Sequence, residues 1–182
     1  YYHLIRLEGY KWAWSRILRV YRELGLVRRP KRRYRLPEAQ RKPLGQPICH
    51  NEVWSMDFMN DSLQDGRSFR VLNVIDDYNR ECLISEGSIS FPSARVIREL
   101  NQLKEQKGLP KYIRTDNGHE FISQEYKHWC SDNEITTVYA QPGKPMQNGY
   151  VERFNRTFRE DILDAYLFSS LKQFNIISQK WR

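Results

Sequence analysis

Bulky apolar side chains alternate with small or acidic ones through residues 53–59, with Trp54, Met56 and Phe58 on one side and Ser55 and Asp57 on the other. That two-residue period predicts a half-buried strand with Asp57 in its interior. After a loop through Asp65 and Gly66, residues 69–75 carry Val71, Leu72, Val74 and Ile75, and so predict a strand covered on both faces. Asp76, Asp77, Tyr78 and Asn79 then supply turn chemistry before a third strand over residues 81–86, which completes an antiparallel meander. Beyond this point the period lengthens. Val96, Ile97, Leu100 and Leu103 recur at helical steps after Pro92, with Gly108 at the stop and Pro110 just past it. Residues 112–115 read as a strand ending at Asp116, and Asn117-Gly118 turns the chain. Ser123 caps a helix running through Asn133, residues 136–139 form a fifth strand, residues 141–149 form a Pro- and Gly-containing loop, and a last helix starts at Asn148. The expected architecture is α/β: a mixed five-stranded sheet, three antiparallel strands and then two alternating with helices, with helices on its faces.

The N-terminal stretch has a different character. Trp14, Ile17, Leu18, Tyr21 and Leu24 recur at three- and four-residue steps before Gly25, which predicts a short amphipathic helix whose other face carries Arg16, Arg19 and Arg22. Arg28, Arg29, Pro30, Lys31, Arg32 and Arg33 follow, and then Pro37, Pro43 and Pro47, so residues 28–48 predict a stiff basic linker. The expected division is a helical module over residues 1–27, this linker, and a catalytic domain over residues 49–182. Charge follows the same boundary. Of the 182 residues, the first 42 hold 13 of the 30 Lys and Arg but only 3 of the 22 Asp and Glu, while the remainder is slightly acidic. A basic helical arm ahead of a near-neutral globule suits phosphate attraction in one part and chemistry in the other; a solvated tail without a partner is the alternative.

Other classes find little support. Cys49, Cys82 and Cys130 form no CxxC pair and leave an odd one over, which predicts a reducing compartment and a role as small core fillers. His3, His50, His119 and His128 stand at no zinc-ligand spacing with them. Without a long apolar run or a signal-peptide pattern, the expectation is a soluble cytoplasmic protein with no membrane partner.

Three carboxylates carry the candidate chemistry. Asp57 lies in mid-strand, Asp116 at a strand's end and Glu152 in the first turn of the last helix. On that helix Val151, Phe154, Phe158 and Ile162 share one side, and Glu152, Asn155, Arg156 and Arg159 share the other. If the first and fourth strands are neighbours, the three acids converge. Like charges so placed repel, and a hard cation resolves the conflict: carboxylate oxygens suit Mg²⁺ or Mn²⁺, and a pair of such ions serves an in-line displacement at phosphorus. Asp116 also has a structural reading as a turn residue and Glu152 as a helix-dipole partner, whereas Asp57 is harder to dismiss. Asp76 and Asp77 are further possible ligands whose place between strands favours a turn role.

The chain resembles the bacterial insertion-sequence transposases whose catalytic core is related to retroviral integrases, the DDE family with a ribonuclease H-like fold. The resemblance rests on TDNGHEF at residues 115–121, QPGKPMQNGYVERFNRTFRE at residues 141–160, WSMDF at residues 54–58, and the 35 residues between Asp116 and Glu152. It implies Asp57, Asp116 and Glu152 as catalytic and metal-ligating acids for two Mg²⁺ or Mn²⁺ ions, with no small-molecule cofactor. It further implies cleavage and strand transfer on double-stranded DNA, both transposon ends and target, by a homo-oligomer assembled on the DNA. Candidate DNA contacts are Arg16, Arg19, Arg22, Arg28, Arg29, Lys31, Arg32 and Arg33 in the arm, and Lys144, Asn148, Arg153, Arg156 and Arg159 around the last helix. The stretch before the linker looks like the end of a helix-turn-helix module. Family members usually continue beyond the equivalent of Trp181, so a fragment or a decayed gene copy is expected. A ribonuclease H-like nuclease and a catalytically silent DNA-binding remnant are the competing readings; a glycosidase leaves the basic arm unexplained.

Overall fold

The computed structural model describes residues 9–26, 46–140 and 148–182. They fall into two units, within residues 1–42 and 43–182. In the first, α1 (Trp14–Glu23) forms as expected; Ile17 is buried, Arg16, Arg19 and Arg22 are exposed, and Arg19 pairs with Glu23 at 3.7 Å. The basic linker, with Arg28, Arg29, Lys31, Arg32 and Arg33, lies almost wholly outside the described residues.

The second unit is built on β1 (Val53–Ser62), β2 (Ser68–Asp76), β3 (Cys82–Ser88), β4 (Tyr112–Thr115) and β5 (Thr136–Tyr139). They form one sheet in the order β3-β2-β1-β4-β5. The meander is antiparallel, whereas β4 pairs with β1, and β5 with β4, in parallel. A parallel pair needs a crossover, and α2 (Ser93–Lys107) supplies it between β3 and β4. Between β4 and β5 run a single turn, α3 (His119–Ile122), and α4 (Gln124–Asp132), whose first turn is capped by the Ser123 side chain accepting from Tyr126 N at 3.2 Å. The chain ends with α5 (Gly149–Phe158), a π-helical turn (Arg159–Leu163) and α6 (Leu171–Trp181).

The alternation in β1 sorts its side chains between two cores. Trp54 and Met56, fully buried, join Leu72, Val74, Ile113, Val96, Leu100, Phe121 and Tyr126 beneath α2 and α4. Met59 joins Phe69, Val71, Phe158, Ile162, Phe168 and Phe174 on the opposite face, beneath α5 and α6. Burying each of these large apolar side chains contributes roughly 1.5–3 kcal/mol, so a one-residue register slip would exchange the two sets and lose both cores.

Two features go beyond the sequence prediction. Helix α6 is an addition, although Ser170 and Gln173 stand at capping-box spacing: Ser170 Oγ accepts from Gln173 N, and Gln173 Oε1 accepts from Ser169 N at 2.8 Å. Core filling holds for Cys130 alone, because Cys82 is half-buried and Cys49 exposed.

Helix α6 docks on β3 through a close approach at Gly87. A Cβ there would lie 2.4 Å from Phe174 Cδ1, and Phe174 is itself fully buried among Phe69, Phe158 and Phe168. Gly87→Ala is therefore expected to cost about 1–3 kcal/mol of stability through overpacking. A urea midpoint equal to that of the parent chain would show that the ring yields freely.

Candidate active site

The parallel β1–β4 pair places the first two acids side by side. Ser55 is level with Arg114, so two residues further along each strand Asp57 and Asp116 stand at the same height, the latter just past the carboxyl end of β4. In open α/β sheets that edge is where ligands gather. The third acid comes from α5, which is fastened across β1 and β2 at several points. Asn148 donates its side-chain amide to the Met56 carbonyl at 3.3 Å, one residue from Asp57. Tyr150 lies under the Arg80 guanidinium, 3.3 Å from its carbon to the ring centroid, and Arg80 also bonds the Asp77 carbonyl. Arg159 reaches back to the Asn60 carbonyl at 3.0 Å.

Electrostatically Asp57 feels both of the other acids. Burial pushes the Asp57 carboxyl up to about 6, and the negative charges of Asp116 and Glu152 add to that rise; hydrogen bonds from Phe58 N and Asn155 oppose it. Glu152 is also raised, chiefly by desolvation, with Arg156 pulling the other way. At the level of oxygen atoms the acids are not gathered: among the described residues no three His, Cys, Asp or Glu side chains are placed to hold a metal ion as they stand. Each Asp is satisfied locally instead. Asp57 Oδ1 accepts from Phe58 N at 2.9 Å and Oδ2 from Asn155 Nδ2 at 2.8 Å; Asp116 Oδ1 accepts from Gly118 N at 2.9 Å; Glu152 points to solvent.

The donor set nevertheless fits a hard divalent ion. All three groups are carboxylates, two are exposed, and the half-buried Asp57 has no cationic partner among the described residues. Asp76 and Asp77 are occupied otherwise. Asp76 accepts from Asn51 N and Tyr78 N at 2.9 and 2.8 Å, and Asp77, with no exposed surface, is paired with Arg114 at 2.7 Å. Both therefore serve the structural role expected of the turn.

Of the candidate DNA contacts, Arg153 and Arg156 are exposed on α5, and Arg159 is half-buried against β1. Asn148 is buried with its amide turned inward, and Lys144 lies outside the described residues. Asn155, expected on the open polar side of the helix with Glu152 and Arg156, is instead buried at 9% exposure because its own side chain turns onto the sheet at Asp57 and Asn73. Asn73 and Ser85 were not visible as site residues in the sequence: a single polar residue within an apolar strand carries no signal of what it meets across the sheet.

The five strands, their order and the covering helices define a ribonuclease H-like fold. A profile of the integrase core domain matches residues 48–145, and a second profile of the same description matches residues 133–182. The chain belongs to the integrase core domain family. It is similar to an uncharacterized 31.7 kDa protein of insertion element IS407 from Burkholderia multivorans, with 36% identity over 179 residues, 98% of this chain and 65% of that protein. An uncharacterized 39.2 kDa protein of insertion element IS476 from Xanthomonas euvesicatoria is also 36% identical, over 92% of this chain and 49% of its own length. The chain thus spans roughly half to two thirds of these relatives. Among solved structures, a chain of the simian T-cell lymphotropic virus intasome in complex with PP2A regulatory subunit B56 gamma superposes with a TM-score of 0.62 at 24% identity, covering 72% of this chain and 47% of its own. The trimeric form of the HTLV-2 integrase catalytic core domain in complex with magnesium gives 0.57 at 22% identity, covering 70% and 81%.

Proposed function

We propose that this chain is the catalytic core of an insertion-element transposase, in which Asp57, Asp116 and Glu152 hold a pair of Mg²⁺ or Mn²⁺ ions for cleavage and strand transfer at the element's ends. The observation that carries the reading is the state of Asp57. A carboxylate in the interior of a strand, half-buried, repelled by two other acids and lacking a cationic partner among the described residues, is destabilising unless it serves a function. The kinship with insertion-element proteins and with a magnesium-bound integrase core points the same way.

Bound divalent ions would polarise the scissile phosphate and lower the pKa of an attacking hydroxyl. The chain's own contribution is placement. Asp57 is fixed by the central strand, Asp116 by the end of the adjacent strand, and Glu152 by a helix anchored through Asn148, Tyr150 and Arg159. Arg153 and Arg156, exposed beside Glu152, can neutralise DNA phosphates along the same approach. The reading requires no general-base histidine and no covalent enzyme intermediate.

Incubation of the protein with Mn²⁺ and labelled DNA carrying the element's terminal repeats tests the reading. Joined products support transposition, cleavage of an RNA strand in a hybrid supports a ribonuclease H-like nuclease, and salt-sensitive binding with neither product supports a silent remnant. The basic segment has its own expected result. Neutralising Arg28, Arg29, Arg32 and Arg33 should weaken binding to all DNA sequences alike, and reduce the slope of log K against log salt by roughly 0.9 for each phosphate that is no longer neutralised. An unchanged slope would show that the segment touches no phosphate.

A further inference from the structure

We infer that Asn73 is a positioning residue for Asp57, acting through Asn155, with the Ser85 hydroxyl closing the relay as its terminal donor. This rests on the reading of Asp57 as a metal ligand, but its geometry stands independently. Asp57, Asn73 and Ser85 occupy successive strands in register, Asp57 opposite Asn73 and Asn73 opposite Ser85. Ser85 Oγ donates to Asn73 Oδ1 at 2.8 Å, Asn73 Nδ2 donates to Asn155 Oδ1 at 2.7 Å, and Asn155 Nδ2 donates to Asp57 Oδ2 at 2.8 Å. Three of the four side chains are buried, with Asn73 at 0%, Ser85 at 5% and Asn155 at 9% exposure.

The polarity of this chain of bonds is dictated from its acidic end. An ionised carboxylate only accepts, so Asn155 must present its NH₂ to Asp57 and its carbonyl to Asn73. Asn73 must then present its own NH₂ to Asn155 and its carbonyl to Ser85, whose hydroxyl closes the sequence as donor. Reversing either amide would set oxygen against oxygen at a buried position, between Asn155 and Asp57 or between Asn73 and Asn155, at the cost of unpaired groups there. Asp57 Oδ1 is meanwhile held by Phe58 N. Both oxygens are thus held, one by Phe58 N and the other by Asn155, whose amide is in turn oriented by the buried Asn73 on β2 and Ser85 on β3. Apolar packing alone would not require this arrangement: Asn73 lies in a strand whose neighbours Leu72 and Val74 are fully buried hydrophobics, and it too could have been apolar.

The test uses the full chain and two variants. Asn73→Asp replaces a donor by an acceptor, so that Asn155 can no longer satisfy both neighbours; Ser85→Ala removes the terminal donor with little change of core volume. Affinity for Mn²⁺ is read from the electron paramagnetic resonance of the free ion, and the side-chain amide resonances of Asn155 are read by NMR in metal-free protein. Asn73→Asp is expected to weaken Mn²⁺ binding about tenfold, as outer-shell changes at metal sites do, and to displace the Asn155 amide signals. Ser85→Ala should act in the same direction with a smaller effect, and decides the matter if Asn73→Asp does not fold. Folded variants with unchanged Mn²⁺ affinity and unchanged Asn155 resonances would overturn the inference. Asp57→Asn is the control that separates the two levels: if it binds Mn²⁺ as the parent chain does, the metal-site reading itself fails, whereas loss of binding in Asp57→Asn alone leaves that reading intact and removes only the role given to Asn73.

Discussion

Asp57→Asn is expected to abolish DNA joining, by about a thousandfold or more, and at the same time to make the folded protein more stable at neutral pH. The first effect follows if several kcal/mol of transition-state stabilisation pass through ions that Asp57 helps to hold. The second follows from the site's electrostatics. In the folded chain Asp57 keeps its proton up to about pH 6, whereas the ordinary value is 3.8. Across that window the folded state binds more protons than the unfolded one, so this group's contribution makes stability fall as pH rises from about 4 to 6. The full shift corresponds to roughly 3 kcal/mol at most, which the Asn variant recovers at pH 7 and not at pH 3. Thermal melts at the two pH values check this. Mn²⁺ should raise the melting temperature of the parent chain, by the equivalent of about 2.7 kcal/mol at a hundredfold excess over Kd, and leave Asp57→Asn unmoved. A variant that is inactive and also less stable at pH 7 would mean that Asp57 holds the strand rather than the metal.

Arg114→Met should be the most damaging single change away from the acids. Asp77 has no exposed surface, Arg114 is its partner at 2.7 Å with a side chain only 12% exposed, and burial pushes the Asp77 carboxyl upward even with that guanidinium beside it. Removing the cation leaves an uncompensated buried charge, at a cost of about 3–5 kcal/mol. For a domain of this size that is a fall in melting temperature on the order of 10 °C. Asp77→Asn added to Arg114→Met should restore part of the loss, because the charge then disappears with its partner. If the double variant melts no higher than Arg114→Met, the damage lies in packing rather than in charge.

How much of the fold and site was legible in the sequence depended on whether the signal was local. The alternation of Trp54, Met56 and Phe58 with Ser55 and Asp57 specified both the strand and the anomaly within it. Gly108 after an apolar 3.6-residue period specified the end of α2, and Asp116 could be placed at a strand terminus from its Asn-Gly sequel. Helix α6 was equally local, with Phe174 and Ile177 at helical spacing behind Ser170, and could have been found from that cap. The relay from Ser85 to Asp57 could not. It requires Asn73 to lie opposite both Asp57 and Ser85, and a register offset by one residue would turn Asn73 toward the other core. The Arg114–Asp77 pair likewise joins residues 37 apart across two strands. The expected neighbouring of the first and fourth strands is present and Asp57 feels the charges of Asp116 and Glu152, but among the described residues the carboxylates are not gathered as a ligand set, and hydrogen bonds from Phe58, Asn155 and Gly118 occupy the two Asp side chains at short range.

The parallel pairing of β1 with β4 also bears on synthesis. An emerging polypeptide can close the meander as soon as β3 leaves the ribosome, yet Asp57 has no acidic neighbour until the crossover through α2 delivers Asp116, and Glu152 comes later still. Such distant pairings form late and slowly. On the proposed reading, the metal site is therefore incomplete in every nascent chain until α5 has been made, and a translation product that stops short of α5 has the sheet without its third acid.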